Sequence, residues 1–302
     1  MTVKGELAAH PTNREGHRER ARPRRKRWSL ETLILVPILA YLAVFYVYPL
    51  ARILLLSVYG PRLTFDHFLR MVTVPVYTQV LMRSFRIALL VTVLSLVLGY
   101  PVAYLLSNLK PRQVALLMPV ILVPFTISVL VRSYAWMAIL GREGLVNTLL
   151  LGWLGLTQQP LEILYNEFGV LLGMVHILLP FFILPAYSVM IRIDRDLLKA
   201  AYIMGATPAR GFLEVFLPLS LLGIIGGGLL VFIQALGFFV TPALLGGPQD
   251  TMISMLIELQ ISQLLNWGFA AALSSVLLIA TLGGFMLLTR IVRVSILWGE
   301  AR

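Results

Sequence analysis

Few side chains in this sequence are equipped for chemistry, and their spacing excludes most of it. The four histidines, His10, His17, His67 and His176, never pair at the helical spacing that would let two imidazoles share a metal. There is no cysteine, which removes disulfides and thiolate metal sites. No GxxxxGK[ST] phosphate loop occurs, so the chain does not bind ATP in that way. The expectation is therefore no catalytic residue, no metal and no cofactor. Any uphill work must draw on another chain or on an ion gradient.

What remains is a short set of polar and aromatic side chains inside or beside long apolar runs. His176 and Gln234 lie within such runs, and Tyr134 and Trp136 follow Arg132 at the end of another. An ionisable residue within a membrane span marks a functional site by default. A neutral His or Gln can equally bond a neighbouring helix for about 0.6 kcal/mol. Both readings stand for His176 and Gln234. Arg52 and Arg132 fall near span ends, where a long side chain can reach along the apolar surface to water. Phe238 and Phe239 offer aromatic faces that could line a path or pack. Glu258, in Ile253-Ser-Met-Leu-Ile-Glu-Leu-Gln-Ile261, reads either as a carboxylate that helps pass a cation or as a solvated residue on an amphipathic helix. Gly223, Gly226, Gly227 and Gly228 read as close helix packing or as a flexible bend.

The elements that must position these groups follow from composition. The 302 residues are 59% hydrophobic and only 13% charged, against about a quarter charged in a soluble domain. Mean hydropathy is +0.87. Six uncharged segments are close to or above the roughly 20 residues needed to cross hydrocarbon: Thr32–Ala51, Ile87–Asn108, Gln113–Val131, Phe168–Ile191, Val215–Leu245 and Trp267–Thr289. The first is too long for a signal peptide, so no cleavage is expected. The short link Asn108–Arg112 predicts that the second and third spans are antiparallel neighbours. The class is an all-α polytopic membrane bundle of six transmembrane helices. It divides into a basic arm over 1–29, a membrane domain over 30–290 and a tail over 291–302.

Charge sets the expected orientation. With both termini inside, 18 of the 25 lysines and arginines fall on the cytoplasmic side, and Gly246–Asn266 on the other side has none. The arm sequence Arg22-Pro-Arg-Arg-Lys-Arg27 then meets anionic lipid rather than nucleic acid.

One mixed-polarity segment, residues 192–218, interrupts the apolar C-terminal half. Asp194 or Asp196 can cap a first short helix, and Thr207-Pro208 reads as the cap and first residue of a second. Pro218 then opens the next apolar run. Lys199-Ala200-Ala201, three residues, Gly205, nine residues, Val215 and Leu217-Pro218 resemble the EAA loop of permease subunits of binding-protein-dependent ABC importers. Lys199 stands where that family usually carries Glu. Gln234 to Pro248 is similar to the same place in spermidine and putrescine permeases and in importers of other small solutes.

The resemblance spans the chain from the first span to Thr289. It implies the type I (MetI-like) permease fold in a prokaryotic inner membrane. Lys199, Ala200, Ala201, Gly205 and Pro218 are implied to couple to a cytoplasmic ABC ATPase dimer. Trp136, Gln234, Phe238, Phe239 and Glu258 are candidates for the substrate path. A second permease subunit, identical or paralogous, and an external solute-binding protein complete the implied assembly. A polyamine is the favoured solute. The alternative is an ion-gradient transporter or channel without an ATPase, which predicts carboxylates or broken helices at membrane depth. The six uncharged segments contain no Asp or Glu.

Overall fold

The computed structural model describes residues 30–59, 62–153, 155 and 159–299. The basic arm expected over 1–29 lies outside them. Among the described residues the protein is helical, with one isolated bridge between Tyr59 and Leu63 as its only β feature. The chain divides into two compact units, Met1–Leu50 and Ala51–Arg302. In the first, Leu30–Leu42 is α-helical and Ala43–Val47 forms a π-turn. The second unit holds everything that follows.

Among the described residues, five helices are long and apolar enough to cross a membrane: Leu35–Leu56, Pro75–Asn108, Glu167–Met190, Pro208–Leu236 and Trp267–Met286. A bent pair, Pro111–Thr126 and Val129–Leu151, with 97° between its halves, makes a sixth crossing if the two halves count as one broken span, and a re-entrant loop otherwise. Five of the six expected spans are thus present as single helices, with altered outlines. The third, expected as one run over Gln113–Val131, breaks at Ile127 and Ser128, both with extended ψ angles. Pro119 and Pro124 lie in the half-helix before the break. Each removes a donor and crowds the carbonyl four residues back. The fifth starts earlier than expected and ends at Leu236, not Leu245. Gly237 ends it, and Val240–Leu245 is a separate short helix.

The link after the second span is as short as expected, two residues between Asn108 and Pro111. Leu109 and Lys110 are extended, as the residue before Pro111 must be. Those two residues redirect the chain, and Pro111–Thr126 takes the fourth span, Glu167–Met190, as its packing partner. The sixth helix continues past the membrane-length segment to Gly299.

The core is the mutual packing of the second, fourth and fifth spans. Ile87, Val91, Met174, Leu178, Phe182, Ile183, Val231 and Leu236 are fully buried there. Lipid tails are as apolar as these side chains, so close van der Waals contact must hold the helices together. The glycines provide it. A Cβ on Gly227 would lie 2.8 Å from the Phe182 carbonyl oxygen, and one on Gly223 would lie 3.0 Å from Ala186 Cα. Gly99 brings the second span against Phe182 in the same way, a Cβ there falling 2.6 Å from the ring. Of the two readings of the glycine cluster, packing is what the geometry supports at Gly223 and Gly227. Gly226 faces open space.

This contrast is testable. Gly227→Ala should destabilise the purified protein by about 1–3 kcal/mol, because the neighbour is backbone and cannot yield cheaply. Gly226→Ala should be neutral or stabilise by up to about 1 kcal/mol through helix propensity. Thermal unfolding in detergent reads both. Equal losses at the two positions would point to a bend instead.

Candidate functional site

The segment between the fourth and fifth spans forms a knuckle at the surface. Asp194 caps its helix, Arg195–Ile203, by accepting from the Asp196 N–H at 2.9 Å. Thr207 caps the next turn by accepting from the Arg210 N–H, with Pro208 at the first helical position. Both caps follow the sequence reading. The second short helix does not. Pro208–Arg210 continues through a π-turn, Gly211–Phe216, directly into the fifth span. Pro218 therefore lies inside a continuous helix rather than opening one. The π-turn immediately before it loosens the backbone where a proline could not be bonded normally.

Gly205 has a conformational role that spacing alone did not show. Its φ is +91°. The Gly205 N–H donates to Tyr202 O and the Ala206 N–H to Ala201 O, each at 3.0 Å. That pair of bonds is the Schellman ending of a helix, which demands a left-handed residue at this position. A Cβ on Gly205 would meet nothing within 4 Å, so space inside the chain is not what requires glycine.

Around this turn the knuckle presents its side chains unevenly. Ala201 is buried and Ala200 exposed. Ile203 is 87% exposed and Met204 82% exposed, which makes an apolar tip. Tyr202 folds back over Gly211, where a Cβ would stand 2.6 Å from the ring. Sequence reasoning missed Tyr202, Ile203 and Met204. Their signal was three consecutive large apolar side chains where the helix that carries Arg195, Asp196 and Lys199 ends.

Lys199 forms an ion pair with Asp196 one turn earlier, at 2.8 Å and well exposed to solvent. The hydrogen bond first and the charge second hold the Asp196 carboxyl below the ordinary carboxylate value and the Lys199 ammonium above its own. The pair's contribution is present across the neutral range. It is lost as pH falls through the lowered Asp196 value, or rises through the raised Lys199 value. Glu at position 199 would instead face Asp196 with like charge.

The path candidates do not gather into one site. Trp136 Nε1 donates to His176 Nδ1 at 3.2 Å, and the rings meet edge to face. His176 is thus bonded to a neighbouring helix, one of its two expected readings. Gln234 is exposed on the fifth span, with no side-chain hydrogen bond among the described residues. Phe238 is half-buried against the core, and its carbonyl accepts from Ser254 Oγ at 2.7 Å. Phe239 is 37% exposed. Glu258 is half-buried on Ile253–Ser262, whose Ile253 and Leu256 pack on Phe269 and Leu273. No hydrogen bond or ring contact among the described residues joins Glu258 to the other four candidates.

Charges near the far end of the bundle are mostly balanced. Arg86 pairs with Glu167 and Arg142 with Glu162. Gln79, Arg83, Arg86, Glu167 and Asp250 line a cleft there. Arg52 is exposed. Arg132 is not. It is only 9% exposed, and its Nε and Nη1 have no hydrogen-bond partner. The bend at Ile127–Ser128 turns this residue into the protein rather than along its surface.

Comparison with known proteins gives this geometry a setting. Residues 95–295 match the family described as binding-protein-dependent transport system inner membrane component. Over 225 residues the chain is 38% identical to the spermidine/putrescine transport system permease protein PotB of Escherichia coli K12, covering 74% of this chain and 80% of that one. It is 30% identical over 230 residues to the inner membrane ABC transporter permease protein YdcU of the same organism. It is 27% identical over 219 residues to the molybdenum transport system permease protein ModB of Mycobacterium bovis. A solved bacterial ABC transporter involved in the import of the acidic polysaccharide alginate shares the fold. The TM-score is 0.67 at 20% identity, covering 88% of this chain and 97% of that chain.

The Gly205 turn yields a prediction. Gly205→Ala and Gly205→Leu should loosen the knuckle by similar amounts, about 1–2 kcal/mol for an L-residue forced left-handed. Gly205→Asn should lose less. Amide exchange at Ala206, measured on the isolated chain, reads the Schellman bond directly. A much larger effect for Leu than for Ala would show that bulk, not φ, is limiting.

Proposed function

Because the chain belongs to the family of binding-protein-dependent transport system inner membrane components, we propose that it forms part of an importer's path for a small polycation, with spermidine or putrescine first. It is an ABC importer permease, a transport subunit and not an enzyme, and a multi-pass inner membrane protein. The observation that carries the solute is the 38% identity to a spermidine/putrescine permease over 225 residues.

In this reading both termini and the knuckle are cytoplasmic, supported by the basic bias of the sequence. A cytoplasmic ATPase dimer docks on the apolar tip at Ile203 and Met204 and on the surface around Lys199 and Ala200. A second permease subunit completes the path, and an external binding protein delivers the solute to the far end of the bundle. Lipid surrounds the spans. Closure of the ATPases on ATP displaces the knuckles and changes which side of the path is open. In this reading Trp136, Gln234, Phe238, Phe239 and Glu258 are the candidate groups that meet the solute. Aromatic faces attract cations, at about 0.5–2 kcal/mol each depending on desolvation. The absence of Asp and Glu from the six uncharged segments disfavours an ion-gradient mechanism that runs on intramembrane carboxylates.

Uptake of labelled putrescine and spermidine by cells carrying the whole system tests the proposal. Saturable, ATP-dependent uptake is expected, competed by the other polyamine. Uptake of a sugar, an iron complex or an organic acid, with no polyamine uptake, would overturn the solute while leaving the permease assignment in place.

A further inference from the structure

Arg195 is the first residue of the knuckle helix, and its side chain points back at the bundle. One of its guanidinium nitrogens, Nη2, donates to the Ser107 carbonyl at 2.8 Å and to Ser107 Oγ at 3.2 Å. Ser107 lies in the last turn of the second span, 88 positions away in sequence. Carbonyls in a last turn have no partner within their own helix and carry the negative end of its dipole. A cation placed there satisfies both. The same guanidinium stands 5.2 Å from the centre of the Phe216 ring. Phe216 is buried and closes the π-turn that starts the fifth span.

The groups around this contact are arranged as a clasp. Tyr104 of the second span meets Phe212 and Phe216 edge-on, with ring centres 5.3 and 5.0 Å apart. Tyr100 meets Phe212 edge-on and its hydroxyl lies 3.1 Å from Ser220 Oγ. These rings join the knuckle end of the second span to the first turns of the fifth. Arg195 ties the start of the knuckle helix to both. At the other end of the helix, Tyr202 rests on Gly211 of the same π-turn. The knuckle helix is therefore fastened at each end, and to two spans that themselves pack together.

We propose that Arg195 is a positioning residue. It locks the knuckle helix to the second and fifth spans, so that a displacement of the knuckle is delivered to both spans instead of being absorbed in the loop. Lysine cannot replace it fully. An ammonium can reach one acceptor as a point charge, but it lacks the planar face that lies against Phe216. The proposal rests on the reading that an ATPase docks at the knuckle, and its test separates the two.

The first arm uses the isolated chain and needs no ATPase. In Arg195→Ala, deuterium exchange of the Leu197–Ile203 amides should rise about 10-fold or more, the loss expected for a hydrogen bond to a charged group. Arg195→Lys should fall between. Unchanged exchange overturns the clasp, whatever the ATPase does. The second arm uses the complete importer with its ATPase subunits and binding protein in proteoliposomes, with putrescine as the probe. Arg195→Ala should keep ATPase co-purification and ATP hydrolysis, while putrescine moved per ATP falls about 10-fold. A merely destabilised protein would lose hydrolysis and uptake together, and that parallel loss counts against the proposal. Loss of ATPase binding in the variant would make Arg195 a docking residue and also overturn it. Failure of the wild-type chain to hold the ATPase would refute the docking reading and leave the exchange arm to decide the clasp.

Discussion

The close approach of the fifth span to the fourth is the constraint on which the rest of the structure depends. Gly223 and Gly227 let the fifth helix rest on Ala186 and Phe182 with no side chain between. In lipid nothing else would press these two helices together so firmly. Their contact fixes the two ends from which the knuckle hangs, at Ile191 and Thr207. A loop of this length between two tightly packed helices has little freedom. Its own bonds then remove most of what is left: the Asp194 and Thr207 caps, the Gly205 turn, and the Arg195 contacts. The result is a surface element with an exposed apolar tip on a stiff base. Such an element suits transmission of force better than binding of a small molecule.

Charge is distributed in keeping with transport rather than catalysis. The ion pairs Arg86–Glu167 and Arg142–Glu162 sit near span ends and leave little net field there. The knuckle pair Lys199–Asp196 is exposed, so water and salt screen most of its effect. Arg132 is the exception, a buried guanidinium beside the bend of the third span. In the polycation path proposed above, a guanidinium at this point would repel the solute.

What could be read from the sequence was local or periodic. The six apolar runs, the Asp194 cap and the Thr207-Pro208 start each depend on neighbours within a few residues, and each is found. The breaks at Ile127–Ser128 and Gly237 were written in Pro124, Gly237 and Pro242, but apolar continuity masked them. Gly205 was legible as a member of the EAA-like motif, but not for its positive φ. Pro218 looked like a helix start because the π-turn before it has no sequence signature. The Ser107–Arg195 and Trp136–His176 contacts join residues 88 and 40 positions apart. No single sequence reveals such pairs, since they exist only after the helices that carry them have packed.

We propose that ATP-driven motion enters the membrane domain at the knuckle. A photo-crosslinking side chain at position 203, which is 87% exposed at the tip, is the test. In membranes containing the assembled importer, the crosslink should form to the ATPase subunit, and its yield should change when ATP is added. A crosslink to lipid or to the external binding protein, with none to the ATPase in any nucleotide state, would rule out the knuckle as the point of entry.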